Sequence, residues 1–412
     1  MAEDEDKARV YLERSKSSPI SLSLYRRCDE FSHGPFQITP LIVGRLKSLT
    51  IKETPNNLQQ ISARLAHPAP LLEYLSISGS CEYGVGYPRL SPVLFNGDLS
   101  SLRDLHLEAV CTGLPWRGMV NLTSFALDRI PPGEISITQL LDFFESAPHL
   151  SDIGLYLTAL TTGVQKGRLV LLACLKRMQI RDHGFPSILL NHLLIPVGAE
   201  LRIDASLVRG SLIVDILPRP LDNLRNFSDF TTIKLSCWKD YPSVAFSGPG
   251  GEICINPNPF SYNETCSVML KSLTQLDTSG TERFKIEFGH LVSRGPLYRA
   301  LLPMKDLRAL MLYKCYSPHV IIHVLRPSTT SSEVVVCPKL EEFVLVLCDD
   351  VEAFDMEDVI GMAEARASSG NRLKAIRIVD TRGISDPGDV LELRKHVGHV
   401  EYTRAVEICD EW

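Results

Sequence analysis

The sequence predicts an α/β solenoid, and three observations predict it. A short strand motif, L-x-x-φ-x-φ with φ apolar, recurs over nearly the whole chain of 412 residues. The stretches between its occurrences carry apolar residues at helical spacing. Most recurrences fall close to the 20–29 residues of a leucine-rich repeat, in which each unit buries its apolar face only against its neighbours. The expected fold is an irregular leucine-rich-repeat solenoid, a horseshoe with a parallel concave sheet and outer helices.

The motif begins as Leu46-x-x-Leu49-x-Ile51, Leu72-x-x-Leu75-x-Ile77, Leu102-x-x-Leu105-x-Leu107 and Leu122-x-x-Phe125-x-Leu127. It continues as Leu150-x-x-Ile153-x-Leu155, Leu175-x-x-Met178-x-Ile180, Phe230-x-x-Ile233-x-Leu235 and Leu307-x-x-Leu310-x-Leu312. Leu340-x-x-Phe343-x-Leu345, Leu373-x-x-Ile376-x-Ile378 and Val397-x-x-Val400-x-Tyr402 follow, and a first strand is read near Ile20. Leu201-x-Ile203 and Phe284-x-Ile286-x-Phe288 are weaker units without the leading leucine. Helices are expected at 57–65, 138–147, 187–194, 266–276, 355–367 and 389–397, several stopped by Pro, Gly or polar residues such as Pro148 and Gly370.

One interval is long, from Leu235 to Ile286. Within it, residues 243–247 and 252–255 flank Gly248-Pro249-Gly250-Gly251, which reads as a β-hairpin. The glycines lack the following Lys-Ser/Thr and helix of a phosphate loop. Asn256-Pro257-Asn258-Pro259 reads as excluded from a central strand. The hairpin is expected to project from one rim with Trp238 and Tyr241. The organisation is therefore a capping helix at 1–18, repeat units at 19–236, a hairpin insertion at 237–265 and further units at 266–412, in one continuous solenoid. A Ser/Thr-rich loop spans 327–333.

Composition narrows the function classes. A net charge of −6 argues against binding driven by phosphate neutralisation, so no nucleic-acid partner is expected. No apolar run reaches the roughly 18 residues of a membrane span. The acidic start, Met1-Ala2-Glu3-Asp4-Glu5-Asp6, is no secretory signal, which makes a cytoplasmic or nuclear location the default. None of the 11 cysteines forms C-x-x-C or a zinc-spaced cluster. Cys315 and Cys348 each stand three residues after the last φ of a unit, where a small polar side chain satisfies backbone groups of the turn. The histidines show no H-E-x-x-H, and no G-x-S-x-G is present. No catalytic residue, cofactor or metal ligand is assigned.

A binding surface is the remaining reading. In a strand of period two the residues between the φ positions face away from the core. Those predicted outward are Asp104, His106, Glu108, Asp128 and Tyr156, then Arg177, Gln179, Arg181 and Arg202. Acidic residues thus precede basic ones, a polarity suited to a protein partner on the concave face. Tyr156, Arg177 and Arg181 are the preferred contacts there, with Trp238 on the rim, because aromatic and arginine residues dominate interfaces. The competing reading is a solvated strand face with no ligand.

Residues 8–20, ARVYLERSKSSPI, lead directly into Ser21-Leu22-Ser23-Leu24. The stretch resembles the junction after the F-box in large mushroom-type fungal F-box proteins with leucine-rich-repeat-like C-termini. Residues 301–308, LLPMKDLR, and 332–342, SEVVVCPKLEE, are similar to the same family. The resemblance implies that the repeats hold a target for ubiquitination, while an F-box of roughly 45 residues docks on a Skp-type adaptor. With a repeat strand beginning near Ile20, no F-box is expected in this sequence, and the adaptor enters only if the full gene product carries one. The expected function is a non-catalytic recognition scaffold of that receptor type. The alternative is a free-standing repeat scaffold or decoy with no ubiquitin link.

Overall fold

The computed structural model describes residues 7, 10–25, 38–79, 86–91, 94–112, 118–158, 160–161, 163, 167–182, 186–206, 211–227, 229–237, 242–258, 262–289, 293–327, 334–348, 356–379 and 387–403. The chain is α/β with mostly parallel sheet. Its contacts divide it into two compact units, one of residues 1–199 with 218–225, the other of 200–217 with 226–412.

The first unit holds β1 (Ile20–Tyr25), α1 (Pro40–Val43), β2 (Leu46–Glu53), α2 (Pro55–Arg64), β3 (Tyr74–Gly79), β4 (Asp104–Glu108) and β5 (Ser124–Asp128). It continues with α3 (Ile137–Ser146), β6 (Asp152–Tyr156), β7 (Val170–Leu171), β8 (Arg177–Asp182), α4 (Pro186–Leu190) and β9 (Leu193–Leu194). β1-β2-β3-β4-β5-β6-β8 pair in that order, all parallel. Each motif leucine and φ residue of β2 to β6 is buried, as Leu102, Leu105 and Leu107 show at 0% exposure. The helices cover that face: Phe125 of β5 stacks on Phe143 of α3 at 4.5 Å between ring centroids. α3 begins where Ser136 and Gln139 cap each other, Gln139 N donating to Ser136 Oγ and Ser136 N to Gln139 Oε1.

The second unit holds β10 (Glu200–Ser206), β11 (Thr232–Cys237), β12 (Ser243–Gly248), β13 (Gly251–Asn258), α5 (Tyr262–Leu273), β14 (Arg283–Phe288) and α6 (Arg294–Leu301). β15 (Ala309–Tyr313), α7 (Pro318–Leu325), β16 (Glu342–Val346), α8 (Met356–Ser368), β17 (Ala375–Val379), α9 (Pro387–His396) and β18 (His399–Thr403) complete it. Here the order is β10-β13-β12-β11-β14-β15-β16-β17-β18. Pairing is parallel except for β13-β12 and β12-β11.

The same turn closes successive strands in both units. Two residues past the last φ, Ala109, Arg129, Leu157, Lys314 and Leu347 take positive φ. Each then gives its N–H to a carbonyl of the next strand, as Leu347 does to Val379 O at 3.0 Å. At the following position the side chain turns inward. Thr158 Oγ1 donates to Leu127 O (3.4 Å) and Tyr156 O (3.1 Å). Cys315 Sγ approaches Ile286 O (3.4 Å) and Tyr313 O (3.8 Å), and Cys348 Sγ approaches Leu312 O and Val346 O, both at 3.5 Å. Every pair joins the last φ carbonyl of the preceding strand to the carbonyl two residues back. Burial pushes the Cys315 thiol well up, so it stays protonated and able to donate.

Three expectations change. The helix read at 187–194 is only α4, because Leu193–Leu194 pair with Val170–Leu171 in a separate two-stranded sheet. The hairpin at 243–255 exists, but it is built into the sheet: β13 pairs with β10 on its other side, through Ala205↔Pro257 to Ser206↔Asn258. The antiparallel pairing with β12 ends at Val244↔Ile255, so on that side the missing N–H of Pro257 breaks no ladder bond. Inward–outward alternation fails in β15 to β17, where Met311, Val344, Val346 and Val379 occupy the positions that alternate with the φ residues yet are buried. Three helices unread in the sequence, α1, α6 and α7, also appear. α6 and α7 are amphipathic, but Gly295 and Pro296 lie near the start of one and Pro318 opens the other. Residues 10–14 are helical, whereas Trp238, Tyr241 and the loop residues 328–333 lie outside the described residues.

Candidate functional site

The face of the first unit's sheet opposite its helices is built by register. Parallel pairing aligns Asp104↔Ser124↔Asp152↔Arg177, then His106↔Ala126↔Gly154↔Gln179, then Glu108↔Asp128↔Tyr156↔Arg181. Adjacent strands lie about 4.8 Å apart, so these side chains form a grid. Asp104, His106, Glu108, Asp128 and Tyr156 are half-buried on it, and Arg177 and Arg181 are exposed. With Gln179 in the middle row, eight of the ten residues selected from the sequence therefore share one face. Arg202 belongs to the second unit, where its Nε lies 3.4 Å from Asp204 Oδ1, and Trp238 lies outside the described residues.

Two small residues, passed over in the sequence, shape this face. Ala126 and Gly154 occupy the middle row on neighbouring strands, leaving a depression of about 250 Å³ bordered by Asp152, Tyr156, Arg177 and Gln179. The Tyr156 ring folds back across Gly154: a Cβ there would meet Tyr156 Cε2 at 2.6 Å and Oη at 2.8 Å. Only glycine admits that packing. Tyr156 Oη donates to Gln179 Oε1 at 3.2 Å, and the Arg181 guanidinium carbon lies 6.0 Å from the ring centroid. The signal was legible, since Ala126 and Gly154 fall in the same slot of consecutive motifs.

The carboxylates divide into neutralised and bare. Arg177 directs Nε (2.7 Å) and Nη2 (2.6 Å) at Asp152 Oδ1, while Ser151 Oγ donates to Asp152 Oδ2 at 2.6 Å. Glu108 is ion-paired with Arg129. Asp128 has the Arg129 Nε only at 3.8 Å. Asp104 has no ion-pair partner among the described residues. Burial pushes its carboxyl above the usual range, against hydrogen bonding by Ser124 and the pull of His106, with Asp152 adding to the rise. Burial raises Asp128 likewise, opposed by His106 and Arg181. Among the described residues no group of three or more His, Cys, Asp or Glu is placed to hold a metal ion. The acids are spread over a sheet, not gathered around a point.

A larger depression, about 430 Å³, lies near the N-terminal ends of the strands and is lined by Glu73, Ser101, Arg103, Asn121, Thr123 and His149. Its hydroxyls and amide already serve the turns: Ser101 Oγ donates to Pro70 O, Asn121 Nδ2 to Ser100 O and Thr123 Oγ1 to Arg103 O. Those bonds close successive turns, and the grid is the better candidate for recognition. No helix among the described residues is long and apolar enough to cross a membrane. No protein-family model matches the chain, and no curated protein matches it.

Proposed function

We propose that this chain is a non-catalytic protein-recognition scaffold of the leucine-rich-repeat type, a horseshoe that docks its partner on the β4–β5–β6–β8 face. One observation carries the reading: side chains are withheld at Ala126 and Gly154, within a ring of charged and aromatic groups. A solvated face needs no such floor. Flat sheet surfaces offer little to grip, whereas a floor with walls buries a partner's side chain. The half-buried Asp104, which has no ion-pair partner among the described residues, supports the same reading, because burial disfavours its charged form and a cationic partner group would favour it.

The partner class proposed is the target of an F-box-type receptor of a cullin ubiquitin ligase, on the strength of the three resembling segments. None of those segments contributes a residue to the face. Docking therefore stands apart from the ligase link, which leaves the free-standing scaffold or decoy as the second reading. Two experiments separate them. A photo-crosslinking residue placed at Gln179 should capture a protein partner in cells, whereas one at the exposed Gln59 of α2 should not. Equal capture at both positions sinks the docking face. The full-length transcript product should co-precipitate a Skp-type adaptor if the receptor reading holds, and absence of that association leaves only the scaffold.

A further inference from the structure

The grid also specifies what its depression accepts. We propose that the seat over Ala126, walled by the Tyr156 ring, receives a lysine or arginine side chain from an extended segment of the partner protein, an inference that rests on the docking face above.

Register places Ala126 at the centre of a three-by-three array. Asp104, Glu108 and Asp152 stand diagonal to it, and Asp128 follows two residues on along its own strand. The fourth corner is Tyr156, whose ring lies over Gly154 and walls the floor. A long cationic side chain matches each part. Its methylene stem lies on Ala126 and against the Tyr156 ring, and its head extends from the depression toward Asp104, diagonal on β4, and Asp128, two residues on along β5. A bare metal ion fits poorly, because no set of ligands converges. An acidic partner side chain also fits poorly. The nearest cation, Arg177, already spends two nitrogens on Asp152. Toward β4, Ala126 faces His106 in its own row, with the carboxylates of Asp104 and Glu108 on either side.

The test uses the full chain, immobilised, to select from a random decapeptide phage library, with the selected peptides resynthesised for fluorescence anisotropy. Selected peptides should carry Lys or Arg, and replacing that residue by Gln should weaken binding about tenfold. The Asp104→Asn/Asp128→Asn double variant should weaken it by a similar factor while keeping its cooperative melt. Ala126→Leu, which fills the floor, should abolish binding. Raising salt from about 0.05 to 0.5 M should lower affinity, because exposed charge pairs are screened. Peptides that depend on an empty floor at Ala126 but show no preference for Lys or Arg would overturn the cationic occupant and leave the docking face standing. Selected peptides indifferent to both Ala126→Leu and the double variant would overturn both. The double variant guards the result if Ala126→Leu fails to fold, since it removes charge without changing shape.

Discussion

The two units apply one repeat grammar to opposite ends. In both, φ residues pack under the helices and a residue at positive φ closes the turn, with an inward side chain after it, Val110, Ile130 or Thr158 in the first unit and Cys315 or Cys348 in the second. They part at the positions that alternate with the φ residues. The first unit fills these with Asp104, His106, Ser124, Ala126, Asp152 and Gln179, which leave a polar and partly open face. The second fills them with Met311, Val344, Val346 and Val379, buried to 1% exposure or less. Beside that cluster two ammonium groups, Lys285 Nζ at 4.6 Å and Lys314 Nζ at 5.1 Å, lie against the Tyr313 ring. The motif thus dictates the fold, and the intervening residues decide whether a sheet face is a core or a surface.

The largest expected effect tests that division directly. Val344→Asp places a carboxylate in the buried cluster and should destabilise the second unit by about 4 kcal/mol or more, abolishing its cooperative urea transition. Gln179→Glu, at an in-between position of the first unit, should change stability by less than about 0.5 kcal/mol. Similar losses in both would mean that the two faces are equally buried and would break the comparison.

Next in size is the charge the second unit hides. Arg366 of α8 has 0% exposure, and its guanidinium donates to Leu325 O (3.3 Å), Val336 O (3.1 Å) and Cys337 O (2.8 Å). Burial lowers its affinity for a proton, and the neighbouring Cys337 thiol is pushed up to about 12 by its own burial. Arg366→Ala should cost about 3 kcal/mol in urea unfolding, because three carbonyls each lose a charged donor and a cavity opens. Arg366→Met should restore packing but not the bonds, and so fall between. An Ala variant as stable as the parent would show that the guanidinium ties nothing together.

How far these differences were legible in the sequence depends on which residues carry them. The strands were, because Leu-x-x-φ-x-φ is set by a local period, and Cys315 and Cys348 were placed by counting from it. The grid was partly legible: Asp104, Asp128 and Tyr156 follow from alternation. Its depression arises from the absence of side chains at Ala126 and Gly154, and a search for reactive groups passes over such residues. The burial of Val344 was not legible, since alternation alone cannot say that something covers the second face of a sheet. Nor was Arg366 legible, because its partners are carbonyls 29 to 41 residues away, on segments that only the tertiary fold brings to α8. The entry of β13 beside β10 was hidden by Pro257, which reads as a strand breaker until its unpaired side is known.

A smaller effect probes what the units share. Thr158 and Cys348 do the same work at equivalent positions, so Thr158→Cys and Cys348→Thr should each shift stability by less than about 1 kcal/mol. Thr158→Val and Cys348→Val should each cost about 1 kcal/mol, since the side-chain donor shared by the two carbonyls is lost. A Val variant that is neutral in one unit alone would show that only the other depends on this bond.

The smallest effect is the most telling for function. Asp104 is conserved in shape by asparagine, whose Oδ1 can still take the hydrogen bond from Ser124 and which carries no charge to desolvate. Burial raises the Asp104 carboxyl above its unfolded value, so the folded state holds the proton more tightly. The associated stability is fully present below the ordinary aspartate range and is lost as pH rises through the raised value. At neutral pH the parent has therefore given up this contribution, and Asp104→Asn should melt slightly higher, by under about 2 °C. The gain should vanish as the pH is taken below the ordinary aspartate range, where both side chains are neutral. The charges facing Asp104 act on the parent alone: His106 favours its carboxylate and Asp152 opposes it, and both are contained in the net rise. A residue kept for the fold would show the opposite sign. A variant that melts lower at neutral pH would place Asp104 among the structural residues and return this part of the face to ordinary solvated strand, whereas a variant that melts higher but binds more weakly marks a position where recognition has been favoured over stability.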